Sequence, residues 1–353
     1  MKRISREDPR FELMRLLDSY ARREGVSIRD QAIHVGFLSG FADVIAASKE
    51  SGTLVHGLRA ESMFAYIVAA MGRCSVVKSE DAGDTYTHSE DLRVPDYRLV
   101  TSAGLQLLVE VKNHRPASPV TNYLVKTDYM NGLRVYAELF GVDLYFAIYW
   151  SHMKLWSLVR SDRFDLVDGS YVLSLGEAMK RSDMSLLGDC MLGTKPPLVF
   201  RLLSDPECDR RAEPSGETGF TVGAVELVAG GEVVDDALEK RIAWFLLRYG
   251  EWGVSDLPAE VVDGELISMS FEVAPGGRSN PDEDFEFIGF MSQMLSRQYD
   301  AMTADDNGVN LLTPDCQPEE LGVVIPADFD GKRLHLWRFD VLSSADDSGL
   351  VGG

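Results

Sequence analysis

Between positions 94 and 114 the chain reads VPDYRLVTSAGLQLLVEVKNH. Two runs rich in Val and Leu flank the turn residues SAG, the pattern of two adjoining strands. Into these runs the sequence sets Asp96, Glu110 and Lys112. An isolated charge in a core is strongly disfavoured, so the three must meet and compensate one another. That requirement constrains the fold more than any other feature. Side chains two apart on a strand share a face, so Glu110 and Lys112 project together and Asp96 can reach them from the neighbouring strand. Pro95 stands near the start of its strand, where a missing backbone donor is tolerated.

The flanking sequence supplies layers around those strands. In EDPRFELMRLLDSYARREG, Phe11, Met14, Leu17 and Tyr20 recur at every third position and Leu16 broadens the stripe; IRDQAIHVGFLSGFADVIAASKE follows as a second helix. Residues 1–55 are thus an N-terminal helical segment without evident chemistry, His34 reading as a packed or surface residue. GLRAESMFAYIVAAMG places Phe64, Ile67, Val68 and Met71 on one helical face, with Gly72 as its cap. CSVVKS is a strand and EDAGDTYTHSED a polar loop. After RPASP a helix is expected over about 121–140, with Val125, Tyr129, Leu133, Tyr136, Ala137 and Phe140 on one face and Gly141 as its stop. DLYFAIYWS and KLWSLVR read as further strands. The order helix, three strands, helix, strand, strand predicts an α/β unit over 56–180, a central mixed sheet flanked by helices.

Residues 181–215, with Pro196, Pro197, Pro206 and Pro214, read as a weakly structured bridge, and 216–345 as an α+β domain. There LEKRIAWFLLRYG is an amphipathic helix, ELISMSFEVA a strand, FEFIGFMSQMLSRQY a helix and GVVIPADFDGKRLHLWRFDV a hairpin about DFDGK. Residues 346–353 are expected to be a disordered tail. GGEVV and APGGRSN are turns without the strand–loop–helix setting of a phosphate-binding loop.

Charge divides the chain unevenly. Residues 1–200 hold 24 Lys/Arg against 25 Asp/Glu, whereas 201–353 hold 11 against 31. The near-neutral part can approach a polyanion through a local basic patch; the acidic part repels one and is either a solvated surface or a face for a basic protein partner. No run approaches the ~18 apolar residues that span a bilayer, and no apolar core follows MKRISREDPR as in a secretory signal. The four cysteines and six histidines are scattered, which argues against a structural zinc site and for a reducing, cytoplasmic setting.

Two carboxylates that share a divalent cation, with an ammonium beside them, suit phosphodiester hydrolysis. Mg²⁺ or Mn²⁺ takes hard oxygen ligands and keeps several waters, so one or two carboxylates suffice. The ion polarises the phosphoryl oxygen and lowers the pKa of a bound water. Lys112 can hold or help deprotonate that water and offset charge in the transition state.

Pro95-Asp96, thirteen intervening residues and Glu110-Val111-Lys112 resemble the signature of the PD-(D/E)xK nuclease superfamily, the restriction-endonuclease-like fold. That fold runs helix, three strands, helix, strand, the order read above. GLRAESMFAYIVAAMGRCSVV is similar to the family's first helix and strand, and LRVYAELFGVDLYFAIYW to the helix, glycine and strand of Holliday-junction-resolvase-like members. The resemblance implies a Mg²⁺- or Mn²⁺-dependent nuclease acting on DNA, with RNA ranked lower, in phage defence, restriction, recombination or repair. It implies Asp96 and Glu110 as metal ligands, Glu61 on the preceding helix as a supporting ligand, Lys112 as catalytic, and a further polar residue on the following helix, for which Lys126 is chosen, with Asn122 beside it. Double-strand cleavage from one centre per chain favours a homodimer. Asn113 and His114 are candidate substrate contacts, a plain surface strand end being at least an equal alternative. Arg59, Arg73, Lys78, Arg93 and Arg98 are a candidate phosphate-binding face, scattered surface charge being the equal alternative. Trp150 and Trp156 are candidates for base stacking, although aromatic residues in strands more often build core. The competing expectation is a catalytically silent scaffold that binds a basic partner through its acidic C-terminal domain.

Overall fold

Leu107, Val109 and Val111 alternate with Leu108, Glu110 and Lys112, so their strand has one apolar face and one that turns from apolar to charged. A computed structural model of the chain shows what covers each face; it describes all residues except 5–8, 32, 82–83, 90, 119, 213–217, 275–284, 324, 327 and 345–353. The tail 346–353, and the turn APGGRSN beyond Ala274, lie outside the described residues.

Helices α1 (Pro9–Glu24), α2 (Ile33–Glu50) and α3 (Gly52–Met71) open the fold. β1 (Cys74–Ser79), β2 (Tyr97–Thr101), β3 (Gln106–His114), β4 (Tyr123–Lys126), α4 (Thr127–Phe140), β5 (Asp143–Trp150) and β6 (Leu155–Arg160) follow. The spatial order is β1-β2-β3-β5-β6, with β3 and β5 parallel and the other neighbours antiparallel. A parallel pair needs a crossover, and α4 lies in it. Leu107, Val109 and Val111 join Phe64, Ile67 and Val68 of α3 in one core. Leu108 joins Met130 and Leu133 of α4, with Phe146 and Ile148 of β5, in another. By alternation Glu110 and Lys112 fall on the α4 face. Ser51 Oγ accepts the Leu54 N–H at the start of α3, and Gly72 and Gly141, both left-handed, end α3 and α4 as expected.

Several elements differ from expectation. Residues 123–126 form β4, not the first turn of α4; Val125 is buried and Leu124 and Lys126 exposed, a strand's two-residue period, and β4 joins β7 (Asp165–Val167) and β8 (Ser170–Leu173) in a small sheet. After α5 (Leu175–Lys180), the expected bridge carries β9 (Met191–Thr194) and β10 (Leu198–Ser204). Pro196 and Pro197 occupy the gap between those strands, so the prolines mark a connection rather than a lack of structure. β10 lies inside an antiparallel sheet with β11 (Val222–Ala229), β12 (Glu232–Val233), β13 (Gly253–Asp256), β14 (Glu260–Val262) and β15 (Glu265–Ala274).

The helix α6 (Ala237–Tyr249) forms as read. β16 (Glu286–Phe290) takes the first part of the segment expected to be wholly helical, and α7 (Met291–Thr303) the rest. Past the short strands β17 (Ala304–Asp305) and β18 (Gly308–Val309), the expected hairpin about DFDGK is absent among the described residues. β19 (Leu336–Phe339) pairs with β9 instead. The buried Glu239 of α6 accepts the N–H groups of Lys332, Arg333 and Leu334 at 2.7, 3.1 and 3.1 Å, which holds that segment away from a hairpin. Among the described residues no helix is long and apolar enough to cross a membrane.

The core against α3 continues through Leu192, Leu198, Ile242, Leu246 and Met294. Arg59 of α3 fastens this junction: Nη2 reaches Asp300 Oδ1 at 2.6 Å and Thr303 Oγ1 at 2.7 Å on α7, and the guanidinium lies 5.5 Å from the Tyr299 ring. Without Arg59, Asp300 keeps Lys154 at 3.1 Å and some solvent, so the loss falls mainly on the buried Thr303 contact and the packing against Tyr299. We expect Arg59→Ala to lower unfolding free energy in urea by about 2 kcal/mol, with exposed Arg29→Ala as a near-neutral control.

Candidate metal and phosphate site

Asp96 sits one residue before β2, where the ladder between β2 and β3 opens. Its carbonyl still accepts the Glu80 N–H at 2.8 Å, continuing the β1 side of the sheet. Toward β3 the side chain takes over from the backbone, and Oδ2 accepts the Val111 N–H at 2.6 Å. Tyr97 pairs with Val109, so the next step of the register sets Asp96 against Glu110. The structure therefore brings Asp96, Glu110 and Lys112 together on the sheet as the sequence requires.

Glu110 is 1 % exposed. Its Oε1 accepts hydrogen bonds from Lys112 Nζ and from the Tyr129 hydroxyl, and Lys112 also donates to the Tyr129 oxygen at 3.1 Å. Its Oε2 is buried without a hydrogen-bond partner among the described residues. Burial, and then the charge of Glu110, push the Asp96 carboxyl up to about 8, against the opposing Lys112 and the Val111 N–H. Burial works against the Lys112 charge, but Glu110, Tyr129 and Asp96 outweigh it and hold the ammonium above its ordinary range. In the metal-free group Lys112 thus favours its charged form. Burial and Glu110 also push Tyr129 up to about 12.

Glu61 faces the group from α3. Burial raises its carboxyl, Lys112 opposes, and Asp81 and Glu110 add to the rise. Lys126 is exposed at the end of β4, outside this hydrogen-bonded group, and Asn122 is exposed in the preceding loop. The polar residue that α4 contributes is Tyr129. In the sequence it belongs to the apolar stripe of that helix; the available signal was its hydroxyl, which needs a partner when buried.

Other candidates are committed elsewhere. Arg59 pairs with Asp300, Lys78 and Arg98 both pair with Glu80, and Arg73 packs against Gly188. Arg93 differs: it is exposed, its guanidinium lies 5.0 Å from the Tyr129 ring, and it has no acidic partner among the described residues. Gly132 makes this approach possible, because a Cβ there would meet the Asp91 carbonyl oxygen at 2.4 Å and Arg93 Cγ at 2.8 Å. Asn113 donates to the His56 carbonyl and the His114 ring meets the Thr121 carbonyl, so neither points freely outward. Trp150 and Trp156 are buried, with indole N–H groups on Ser157 and Ser296, and build core.

The expected three-acid ligand set is not assembled: among the described residues no three His, Cys, Asp or Glu side chains are arranged to hold a metal ion together. Lys112 supplies the balancing positive charge in this conformation, and Glu110 Oε1 turns to it. The pair Asp96 and Glu110 nonetheless fits a hard dication. Glu110 offers a buried oxygen without a donor, Asp96 is destabilised as an anion by its neighbour, and a dication relieves both.

The pH dependence follows. Asp96 is raised in the fold relative to the unfolded chain, so folding takes up a proton between about pH 4 and 8 and stability falls as pH rises through that window. We expect Asp96→Asn to stabilise the metal-free protein by about 2 kcal/mol at pH 8 and by little at pH 4, read from unfolding midpoints. Mn²⁺ should raise the melting temperature of the wild type more at pH 8 than at pH 6, since ion and proton compete for Asp96, and should leave Asp96→Asn unmoved.

No family model and no curated protein matches the chain. Among solved structures the chain is similar to Hjc, a Holliday junction resolvase of Archaeoglobus fulgidus, at 16 % identity and a TM-score of 0.30, over 38 % of this chain and 96 % of that one. A likeness that slight carries no argument, and the functional reading rests on the geometry of the site.

Proposed function

We propose that the chain is a divalent-metal-dependent nuclease of the PD-(D/E)xK type that hydrolyses phosphodiester bonds in DNA. The observation that carries this reading is the buried acid pair Asp96 and Glu110, set side by side on adjoining strands with Lys112 bonded to one of them. A purely structural ion pair has no use for a second carboxylate raised to about 8 or for an orphaned Glu110 Oε2. Asp96 and Glu110 would hold Mg²⁺ or Mn²⁺, which supplies Lewis-acid polarisation of the phosphoryl oxygen and a more acidic bound water.

The remaining work falls to the chain's own groups. The Lys112 ammonium, kept charged by its acidic neighbours, orients the attacking water and offsets negative charge gathering on the phosphorus oxygens. Because Lys112 holds its proton, Glu61, with its raised carboxyl, is the group available to accept one from that water. Tyr129 fixes both Glu110 and Lys112 through one hydroxyl. Arg93, stacked on Tyr129 and exposed, takes a substrate phosphate.

With Mg²⁺ or Mn²⁺ and a labelled DNA duplex or plasmid, we expect Asp96→Ala and Lys112→Ala each to lower the cleavage rate by about 100-fold or more, and Tyr129→Phe by about 10-fold. Cleavage that survives Asp96→Ala contradicts the reading. Arg93→Ala should raise KM while sparing kcat and reduce the salt dependence of DNA binding by about one counterion.

A further inference from the structure

The N-terminal helices carry more apolar surface outward than inward. The arm formed by α1 and α2 has its own small core of Leu17, Ala21, Ile33 and Phe37, with Tyr20 and Phe41 partly buried against it, and this core is separate from those flanking the sheet. Among the described residues of the two helices, eight large apolar side chains are exposed, including Phe11, Met14, Val35, Leu38 and Ile45. The stripe expected on α1 is split by this packing, since Leu17 turns inward while Phe11 and Met14 remain in solvent.

α2 shows the imbalance most clearly. Its sequence, IHVGFLSGFADVIAASKE, has Asp43, Lys49 and Glu50 as its acidic and basic residues. Ile33 and Phe37 lie one turn apart and face α1. Val35, Leu38, Ala42 and Ile45 fall on nearly the opposite side at helical spacing, and all four are exposed, Val35 at 75 % and Leu38 at 66 %. A helix apolar on both sides is built to be covered on both sides. At on the order of 100 Å² apiece, the three large side chains of that stripe leave about 300 Å² of apolar surface along α2, to which the exposed apolar side chains of α1 add.

Charge selects the occupant. Residues 9–50 contain 6 Lys/Arg and 6 Asp/Glu, a net of zero, within a chain of net −21. Here two copies can meet without the repulsion that opposes contact between their acidic halves, and a strongly basic or acidic partner gains nothing from a neutral face.

We infer that the arm is a homodimerisation element, in which the Val35–Leu38–Ala42–Ile45 stripe of α2 packs on the same stripe of a second copy and the two arms close into a four-helix bundle. This interface does not depend on the nuclease reading, although a dimer would present two centres to one duplex.

Light scattering coupled to size exclusion on the full chain, at about 10 µM, tests it. The wild type should run at twice the chain mass, and Leu38→Glu/Ile45→Glu at one chain mass with its helical circular dichroism kept. Val254→Glu, an equally exposed apolar site on β13 (68 %), should remain dimeric. As a check that does not rely on the double variant folding, Ala42→Cys should give an oxidised covalent dimer on a non-reducing gel well above the wild-type level. A monomeric wild type, whatever else it binds, overturns the inference. So does a dimer that persists in the folded double variant, or Ala42→Cys that cross-links no more than wild type.

Discussion

Two carboxylates share the end of one sheet, and a single ammonium stands between them and an unfavourable fold. Asp96 is fixed by the Val111 N–H and Glu110 by Lys112 and Tyr129, so the geometry of the acids is set by the backbone of β3 and by one side chain of α4. Burial strengthens each attraction and repulsion within the group, which is why Asp96 is pushed up to about 8 while Lys112 is held charged. A structure whose purpose was stability alone would replace such a group with apolar residues of similar volume.

The rest of the chain keeps that group in place. The sheet is covered on one face by α3 and on the other by α4, and each helix delivers a residue to the charged end, Glu61 from the first and Tyr129 from the second. The loop that carries Arg93 closes over α4 because Gly132 leaves room for its backbone. Behind α3 the same apolar core runs into the acidic part of the chain, and Arg59 ties it to Asp300 and Thr303. The acidic part thus stands on a body whose apolar core is continuous with the α3 side of the sheet.

Much of this was legible in the sequence. The alternation in QLLVEVKNH placed Glu110 and Lys112 on one face, and Pro95-Asp96 marked the neighbouring strand's start, because a two-residue period and a proline have local causes. Gly72 and Gly141 ended their helices for the same reason. What failed had non-local causes. Tyr129 looked like one more apolar position of α4, since its hydroxyl partner lies on β3. Lys126 was drawn into that helix because Val125 fits either period, and only pairing with β8 makes it a strand. Arg59 and Arg98 looked available to phosphate until Asp300 and Glu80, distant in sequence, took them. The hairpin about DFDGK lost to β9 and to the N–H groups gathered by Glu239.

The most direct measurement is a crystal structure of the chain grown or soaked with Mn²⁺, read by its anomalous signal. The account requires a peak held by the Asp96 and Glu110 carboxylates. An empty site at saturating Mn²⁺, or an ion bound elsewhere while Lys112 keeps Glu110, would contradict it.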